Sequence, residues 1–316
     1  MLNNLLDPSI LFFFLGALAV FIKSDLEIPP PIPKFLSIFL LMAIGLKGGF
    51  ELMHTGMNTY ILKPLIAATL FSFVSPLYLF FVLRKKTGED NAGAIAATFG
   101  SVSAVTFITS VAFLEGQGVS YGGYMVAALA LMESPAIISG LALAYRYKKS
   151  GAKGKIREAT KEALTNGSVV LLLGSLLVGI FAKAGAEKGL EIFINDIFKG
   201  LLCIFLLDMG IVATRRLRAL RDQGWFLILF SIIVPLIHAV IALGVSYALD
   251  LQIGDGFLLC ILFASASYIA VPAAIRASLP SANPGLFVPM SLGVTFPFNI
   301  IVGIPAYFYM YELVFS

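Results

Sequence analysis

The stretch that decides the fold is FASASYIAVPAAIRASLPSANP, residues 263–284. It falls where an apolar segment is expected to cross a membrane, yet it starts with small and hydroxyl residues and contains Pro272 and Pro280. Proline lacks the backbone N–H and breaks or kinks a helix when it lies in the interior. The stretch therefore predicts a membrane helix that is interrupted part of the way across the bilayer.

The composition predicts a membrane protein built of helices. The chain has 316 residues, of which 59% are hydrophobic and 13% are charged. Its apolar runs have roughly 18–25 residues, which suits a transmembrane helix and is too long for the strands of a membrane barrel. Helices satisfy their own backbone hydrogen bonds in lipid. We therefore expect an all-α polytopic membrane protein.

Hydropathy predicts ten membrane-spanning helices. Between the fifth and the sixth lies a polar, basic stretch at 148–166, which is typical of a cytoplasmic linker. The linker separates a first five-helix half, 1–147, from a second, 167–316. The ten segments lie at about 9–22, 32–52, 60–83, 92–114, 119–146, 167–184, 194–213, 225–249, 256–279 and 286–314.

The distribution of basic residues predicts the orientation of the chain. When the loops are assigned alternately to the two sides, one side carries most of the 22 Lys and Arg residues, including clusters at 84–86 and 215–221. Positive charge accumulates on cytoplasmic loops, so topology explains these clusters better than nucleic acid binding does. We expect a multi-pass protein of the cell inner (plasma) membrane with both termini outside. The N-terminal MLNNLLDPS lacks a basic n-region, so no cleaved signal peptide is expected.

The two halves of the chain resemble each other. The pattern FSxxxPL at 71–77 recurs at 230–236, and FGSVS at 99–103 is matched by FASAS at 263–267. Ordered matches at a nearly constant offset indicate duplication. Because each half has an odd number of spans, the second half enters the membrane from the opposite side. This predicts two inverted five-helix repeats, a common plan of secondary transporters.

The fourth and ninth spans are expected to break and to cross at the bilayer midplane. Each has Ser-x-Ser near its centre, with Gly100 in the fourth span and Pro272 in the ninth as helix breakers. The half-helices that restart after the breaks offer bare N–H groups and positive dipole ends to an anion. Packing of small residues between helices is the alternative explanation. No catalytic residue is predicted, and the predicted substrate-binding residues are Gly100, Ser101, Val102, Ser103, Thr106, Ser265, Ala266 and Ser267.

Glu133 is the second candidate site, because a carboxylate near the middle of the fifth span is costly and is functional by default. We favour a role in binding Na⁺; proton binding and a hydrogen bond between helices are the alternatives. No Walker-type glycine loop occurs, so an ion gradient rather than ATP would drive transport, and no cofactor is expected. Predicted sodium-binding partners are Ser134, Ser291, Thr295 and Asn299.

His238 lies in the middle of the eighth span. A lone histidine at such a place is more often hydrogen-bonded between helices than part of a proton relay. The sequence therefore favours a structural role for His238 and leaves the relay open.

Four motifs carry a resemblance to a known family. They are AxxPSANP at 277–284, FGxVS at 99–103, PxxH at 235–238 and Met-acid-x-Pro-Ala at 132–136. Over essentially its whole length the chain resembles the sodium-dependent bicarbonate transporters of the cyanobacterial type. The resemblance implies Na⁺-coupled uptake of HCO₃⁻ by an elevator-like motion. It also implies a core domain with the two broken helices and a gate domain that forms homotrimer contacts, each built from both repeats.

The departures from the family pattern leave other functions open. The second break of the family reads Ser-Ser-Ser-Asp-Ile-Ser-Gly-Pro, whereas this chain has SASYIAVP at 265–272 and places Tyr268 where the acid stands. Tyr268, assigned to the substrate site, favours the alternative of another small anion, such as a monocarboxylate, carried with Na⁺ or H⁺. An intramembrane enzyme or receptor would need a nucleophile–base or metal constellation, which the spacing does not offer. The linker at 148–166 is shorter than in the family, which argues against binding of the family's PII-like regulator.

Overall fold

The computed structural model describes residues 7–56, 59–147, 161, 165–183, 185–220 and 224–315. Apart from residues 161, 165 and 166, the predicted linker at 148–166 lies outside the described residues. The helices of the described part are α1 (Pro8–Phe21), α2 (Pro31–Thr55), α3 (Thr59–Thr87), α4 (Glu89–Gly100), α5 (Ala104–Gln117), α6 (Tyr124–Tyr147), α7 (Gly167–Phe181), α8 (Ile197–Leu220), α9 (Trp225–Ala248), α10 (Ile253–Phe263), α11 (Ala270–Ser278) and α12 (Pro284–Phe315).

Two of these helices contain or follow π-helical turns. A short helix at Ala186–Glu191 and a π turn at Ile192–Asp196 run into α8. Helix α12 has two π segments, Pro289–Thr295 and Asn299–Gly303. A π turn changes the helical phase, so the side chains after it point in a direction that a regular α-helix does not give.

The prediction of an all-helical membrane protein is confirmed. Within the described residues, seven helical segments are long and apolar enough to cross a membrane, and no strand occurs. Helices α4 and α5 together count as one such segment, Glu89–Gln117. Three shorter helices, α1, α7 and α10, are also apolar.

Close helix pairs depend on glycine. Helix α1 packs on α8, and α2 packs on α7. Where α2 meets α7, a Cβ on Gly49 would lie 2.2 Å from the Leu176 carbonyl oxygen and 2.8 Å from the Gly179 Cα atom. Only glycine permits this approach of two backbones, as is usual where membrane helices associate.

The other helices also pack on one another, and α12 packs on α8 as well. Helices α3, α4 and α6 pack on one another, and α9 packs on α10 and α12. The Ser72 hydroxyl of α3 donates to the Met132 carbonyl oxygen of α6. Pro76, Pro135 and Pro235 lie inside α3, α6 and α9 without ending them. Proline alone therefore does not decide where these helices break.

Two helices break where the sequence predicts. The chain leaves α4 after Gly100 and restarts as α5 at Ala104, and it leaves α10 after Phe263 and restarts as α11 at Ala270. Pro272 lies in the first turn of α11, where its missing N–H costs little. The role of Gly100 differs from our expectation. It is helical, and a Cβ there would lie 2.6 Å from the Pro76 Cγ atom, so glycine serves close packing rather than unwinding.

The α2–α7 contact yields a stability prediction. Gly49→Ala should lower the free energy of unfolding by about 1–3 kcal/mol, because a backbone must move to admit the methyl group. Gly174→Ala, on α7 with no atom within 4 Å of the added Cβ, is the matched control and should be neutral or stabilising. Thermal unfolding in detergent measures both. Equal midpoints for the two variants would contradict the packing argument.

Candidate anion-binding site

The two breaks are joined by hydrogen bonds from backbone amides that no longer bond within their own helices. The amide of Ser103 donates to the Ser265 hydroxyl oxygen at 3.0 Å. The amide of Ser267 donates to the Thr98 carbonyl oxygen at 2.9 Å. Ser103 follows the end of α4 and Ser267 follows the end of α10, and each donates its amide to the other broken helix. The two breaks are therefore connected.

At the first break, Ser103 caps the start of α5. Its hydroxyl oxygen accepts from the Thr106 amide at 3.2 Å and from the Thr106 hydroxyl at 2.9 Å. This is the usual N-cap arrangement, and it satisfies one of the orphan amides of the first turn. The amides of Ala104 and Val105 have no hydrogen-bond partner among the described residues.

At the second break, side chains bind the carbonyl groups at the end of α10. The Phe263 carbonyl oxygen lies 2.9 Å from His238 Nδ1, and the Ala264 carbonyl oxygen accepts from Asn299 Nδ2 at 2.9 Å. The Ser267 hydroxyl oxygen accepts from the Val271 amide at 3.3 Å, in the first turn of α11. Within the described chain the amide of Ala270 has no partner.

A narrow cavity lies at both breaks. It offers about 20 Å³ to water-sized molecules, which is room for roughly one of them. No lysine or arginine is among the described residues that line it. The lining includes Val102, Ser103, Ala104 and Val105 from the first break, Ser267, Tyr268, Ile269 and Ala270 from the second, and Glu133 from α6.

The cavity adjoins a wide vestibule of about 1040 Å³. Both spaces are lined by Ser37 of α2, Ser168 of α7 and Tyr268. The half-buried Tyr268 ring lies 5.5 Å from the Phe296 ring. The vestibule extends to Lys34 and Asn166, at the starts of α2 and α7. A solute entering from that end would pass Tyr268 to reach the free amides.

Glu133 lines the cavity at the two breaks. Its carboxylate makes no hydrogen bond or ion pair with the described residues and lines the same space as Ser103 and Ser267. A carboxylate would repel an anion beside it, so an anion bound in this cavity would need a cation or a proton at Glu133. Hard oxygen atoms of this kind suit Na⁺.

The other predicted sodium-binding residues are occupied elsewhere. The Ser291 hydroxyl donates to the Phe287 carbonyl oxygen at 2.9 Å, and the Thr295 hydroxyl donates to the Ser231 carbonyl oxygen at 2.7 Å. Asn299 binds the Ala264 carbonyl group. None of the three lines the cavity with Glu133, whereas Ser134 follows it in α6 and is buried. Their binding of Na⁺ stays a prediction.

The structure divides the predicted substrate-binding residues into two sets. Val102, Ser103, Ser267 and Tyr268 line the cavity, and the others stand behind its wall. These others are Gly100, Ser101, Thr106, Ser265 and Ala266.

Sequence reasoning missed several lining residues. Ser37 and Ser168 are single serines near helix starts and carry no signal in the sequence. Ala104, Val105 and Ala270 line the cavity, and their exposed amides could have been found by counting the first residues after each break. Ser101, in contrast, has a buried hydroxyl without a hydrogen-bond partner in the described structure and does not reach the cavity.

A bundle of membrane helices with two joined breaks beside a shared cavity resembles the plan of secondary transporters. The family model of the Na⁺-dependent bicarbonate transporter superfamily matches residues 8–312. The chain belongs to this superfamily, as the resemblance in its sequence predicts, and is a membrane transporter rather than an enzyme. Family membership supports bicarbonate as the substrate and Na⁺ as the coupling ion. No curated protein matches the chain.

The joined breaks yield a second prediction. Ser265→Ala should cost about 1–3 kcal/mol of stability, because the buried Ser103 amide loses its acceptor. Ser110→Ala is the matched control, since that equally buried hydroxyl donates only to the Thr106 carbonyl oxygen of its own helix at 2.8 Å. Thermal unfolding of both variants in detergent checks the difference. A Ser265→Ala midpoint no lower than that of Ser110→Ala would refute it.

Proposed function

We propose that the protein is a Na⁺/HCO₃⁻ symporter whose anion site is formed by the two broken helices. The observation that carries the proposal is the cavity in which the unpaired amides of Ala104 and Val105 share space with the unpaired carboxylate of Glu133. Donors for an anion and a ligand for a cation thus line one small space, which would have to widen beyond its present volume of about 20 Å³ to admit both ions.

The anion would be bound by backbone dipoles. Helices α5 and α11 both begin at the cavity, so the positive ends of their dipoles converge there. Without a lysine or arginine in the lining, the attraction stays moderate. A small ion of single charge fits such a site, because a transported substrate must also leave it.

Sodium would make anion binding possible. Glu133 would repel an anion that binds alone. A cation that binds alone would be attracted by one carboxylate but would lie beside amide donors, which do not bind cations. Together they cancel each other's charge, so each favours binding of the other. A cotransported Na⁺ gains about 2.3 kcal/mol for each 100 mV of membrane potential, which offsets the entry of an anion into a negative cell.

The overall plan we propose is ten spans in two inverted repeats, 1–147 and 167–316. Helices α4 with α5 and α10 with α11 would be the fourth and ninth spans, crossing at the midplane. The three shorter apolar helices would complete the ten. In their support, the breaks have the same rank in each half and bind each other reciprocally. A homotrimer and both termini outside belong to the same proposal.

The conformation fits a transporter open to the cytoplasm. The vestibule reaches Lys34 and Asn166, on the side that the basic residues predict to be cytoplasmic. The opposite side is closed by the ion pair of Lys47 on α2 with Glu115 on α5. In an elevator cycle, α3–α6 and α9–α12 would move as a core against α1, α2, α7 and α8.

Uptake into proteoliposomes tests the function. We expect labelled bicarbonate to accumulate with an inward Na⁺ gradient, and not with K⁺ or with a pH gradient alone. Uptake that ignores Na⁺ would overturn the symport proposal. Absence of bicarbonate uptake under every gradient would overturn the substrate assignment.

Tyr268 favours a second candidate substrate. Its phenol stands at the mouth of the cavity, where it can face the apolar end of a small monocarboxylate. Competition by acetate in the same uptake assay separates the two substrates. If acetate inhibits uptake at a concentration far below that of the labelled bicarbonate, the result would favour a monocarboxylate transporter.

The role proposed for Glu133 gives a matched pair of variants. Glu133→Gln should lower Na⁺-driven uptake at least about tenfold, because it removes the charge that binds Na⁺. Glu133→Asp keeps the carboxylate and should retain most of the uptake, with a weaker apparent Na⁺ affinity. Initial rates against Na⁺ concentration, normalised to protein in the membrane, measure both. Normal Na⁺ dependence in Glu133→Gln would exclude this residue from coupling.

A further inference from the structure

We propose that His238 is a positioning residue for the anion site: it holds the end of α10 so that the second break keeps its shape. The proposal concerns the contact of His238 with the Phe263 carbonyl group. Its test by transport kinetics rests on the proposed function, whereas its test by hydrogen exchange does not.

The Phe263 carbonyl group loses its helical partner at the break. In a continuous helix it would accept from the amide of Ser267, four residues on. That amide donates instead to the Thr98 carbonyl oxygen on α4. An unpaired carbonyl group is costly in a protein interior surrounded by lipid. His238 Nδ1, at 2.9 Å, replaces the lost donor and so permits the exchange.

The imidazole is fixed in one orientation. His238 is 1% exposed, and its Nε2 lies 2.6 Å from the Tyr78 hydroxyl oxygen of α3. Because a carbonyl oxygen only accepts, Nδ1 carries the proton, and in the neutral ring Nε2 accepts from Tyr78. The Phe71 ring stacks on Phe263 at 3.7 Å and meets the imidazole edge-to-face at 4.9 Å. Contacts from α3, α9 and α10 thus converge on this residue.

This geometry selects positioning over proton relay. A relay needs an acceptor that can pass the proton on, whereas the chain from Tyr78 through His238 ends at the Phe263 carbonyl oxygen. No contact in the described structure leads from His238 to Glu133.

Helix α3 connects this contact to the cation ligand as well. Its Ser72 hydroxyl binds the carbonyl group of Met132, the residue before Glu133. The same helix presents Tyr78 to His238. The second break and the carboxylate are therefore both held in register by α3, so the spacing between the two proposed ions depends on it.

Two amide substitutions separate positioning from mere packing. An Asn side chain places its terminal amide where Nδ1 lies, and a Gln side chain places it where Nε2 lies. His238→Asn should keep the bond to the Phe263 carbonyl group, and His238→Gln should lose it. We expect KM for bicarbonate to rise roughly three- to twentyfold in His238→Gln, the range of one hydrogen bond between membrane helices, with kcat changed less. His238→Asn should stay within about twofold of wild type.

Hydrogen exchange of the ligand-free protein gives a readout without transport. Amides of the segment 264–270 should exchange faster in His238→Gln than in His238→Asn. Equal behaviour of the two variants in both assays, or His238→Asn as impaired as His238→Gln, would overturn the proposal. If wild type shows no Na⁺-dependent uptake, the proposed function fails, while the exchange comparison still decides the role of His238.

Discussion

The exchange of backbone hydrogen bonds between the two breaks is the constraint on which the rest of the structure depends. A membrane helix that stops gives up bonds that no water replaces. Here Ser103 and Ser267 each donate an amide to the other broken helix. The carbonyl groups left behind at Phe263 and Ala264 are bound by His238 and Asn299. Each break thus supplies the acceptor for an amide of the other.

What remains unpaired after this exchange defines the candidate site. Among the described residues, the amides of Ala104, Val105 and Ala270 and the carboxylate of Glu133 have no protein partner, and all four residues line one cavity. Such groups are costly unless a ligand satisfies them. The donors and the acid have opposite preferences, so a pair of ions satisfies them better than either ion alone. Coupling of the two ions then needs no contact beyond those in the cavity.

Local chemistry predicted the breaks, and the sequence could not predict the three-dimensional neighbours of the site. Ser-x-Ser and Pro272 locate the interruptions to within a few residues, because capping and the missing N–H act within one turn. Ser291 and Thr295 were predicted as partners of Glu133 from the tenth span. The π segment of α12 over Pro289–Thr295 changes the helical phase, and Ser291 and Thr295 bind carbonyl groups away from the cavity. Hydropathy and spacing contain no signal for such a turn.

The hydrogen bonds between the two breaks also constrain how access would alternate. In the cytoplasmic-open state that we propose, the contacts at the closed end include the partly exposed Lys47–Glu115 pair and the Tyr60 hydroxyl, which lies 3.2 Å from Asp255 Oδ2. A partly exposed ion pair such as Lys47–Glu115 contributes little to stability, so breaking it costs little free energy. The bonds between the breaks are buried, and opening them would strand polar backbone groups in the bundle. In the elevator cycle that we propose, a motion that carries both breaks as one body, and exchanges only contacts at the ends, would therefore have the lower barrier.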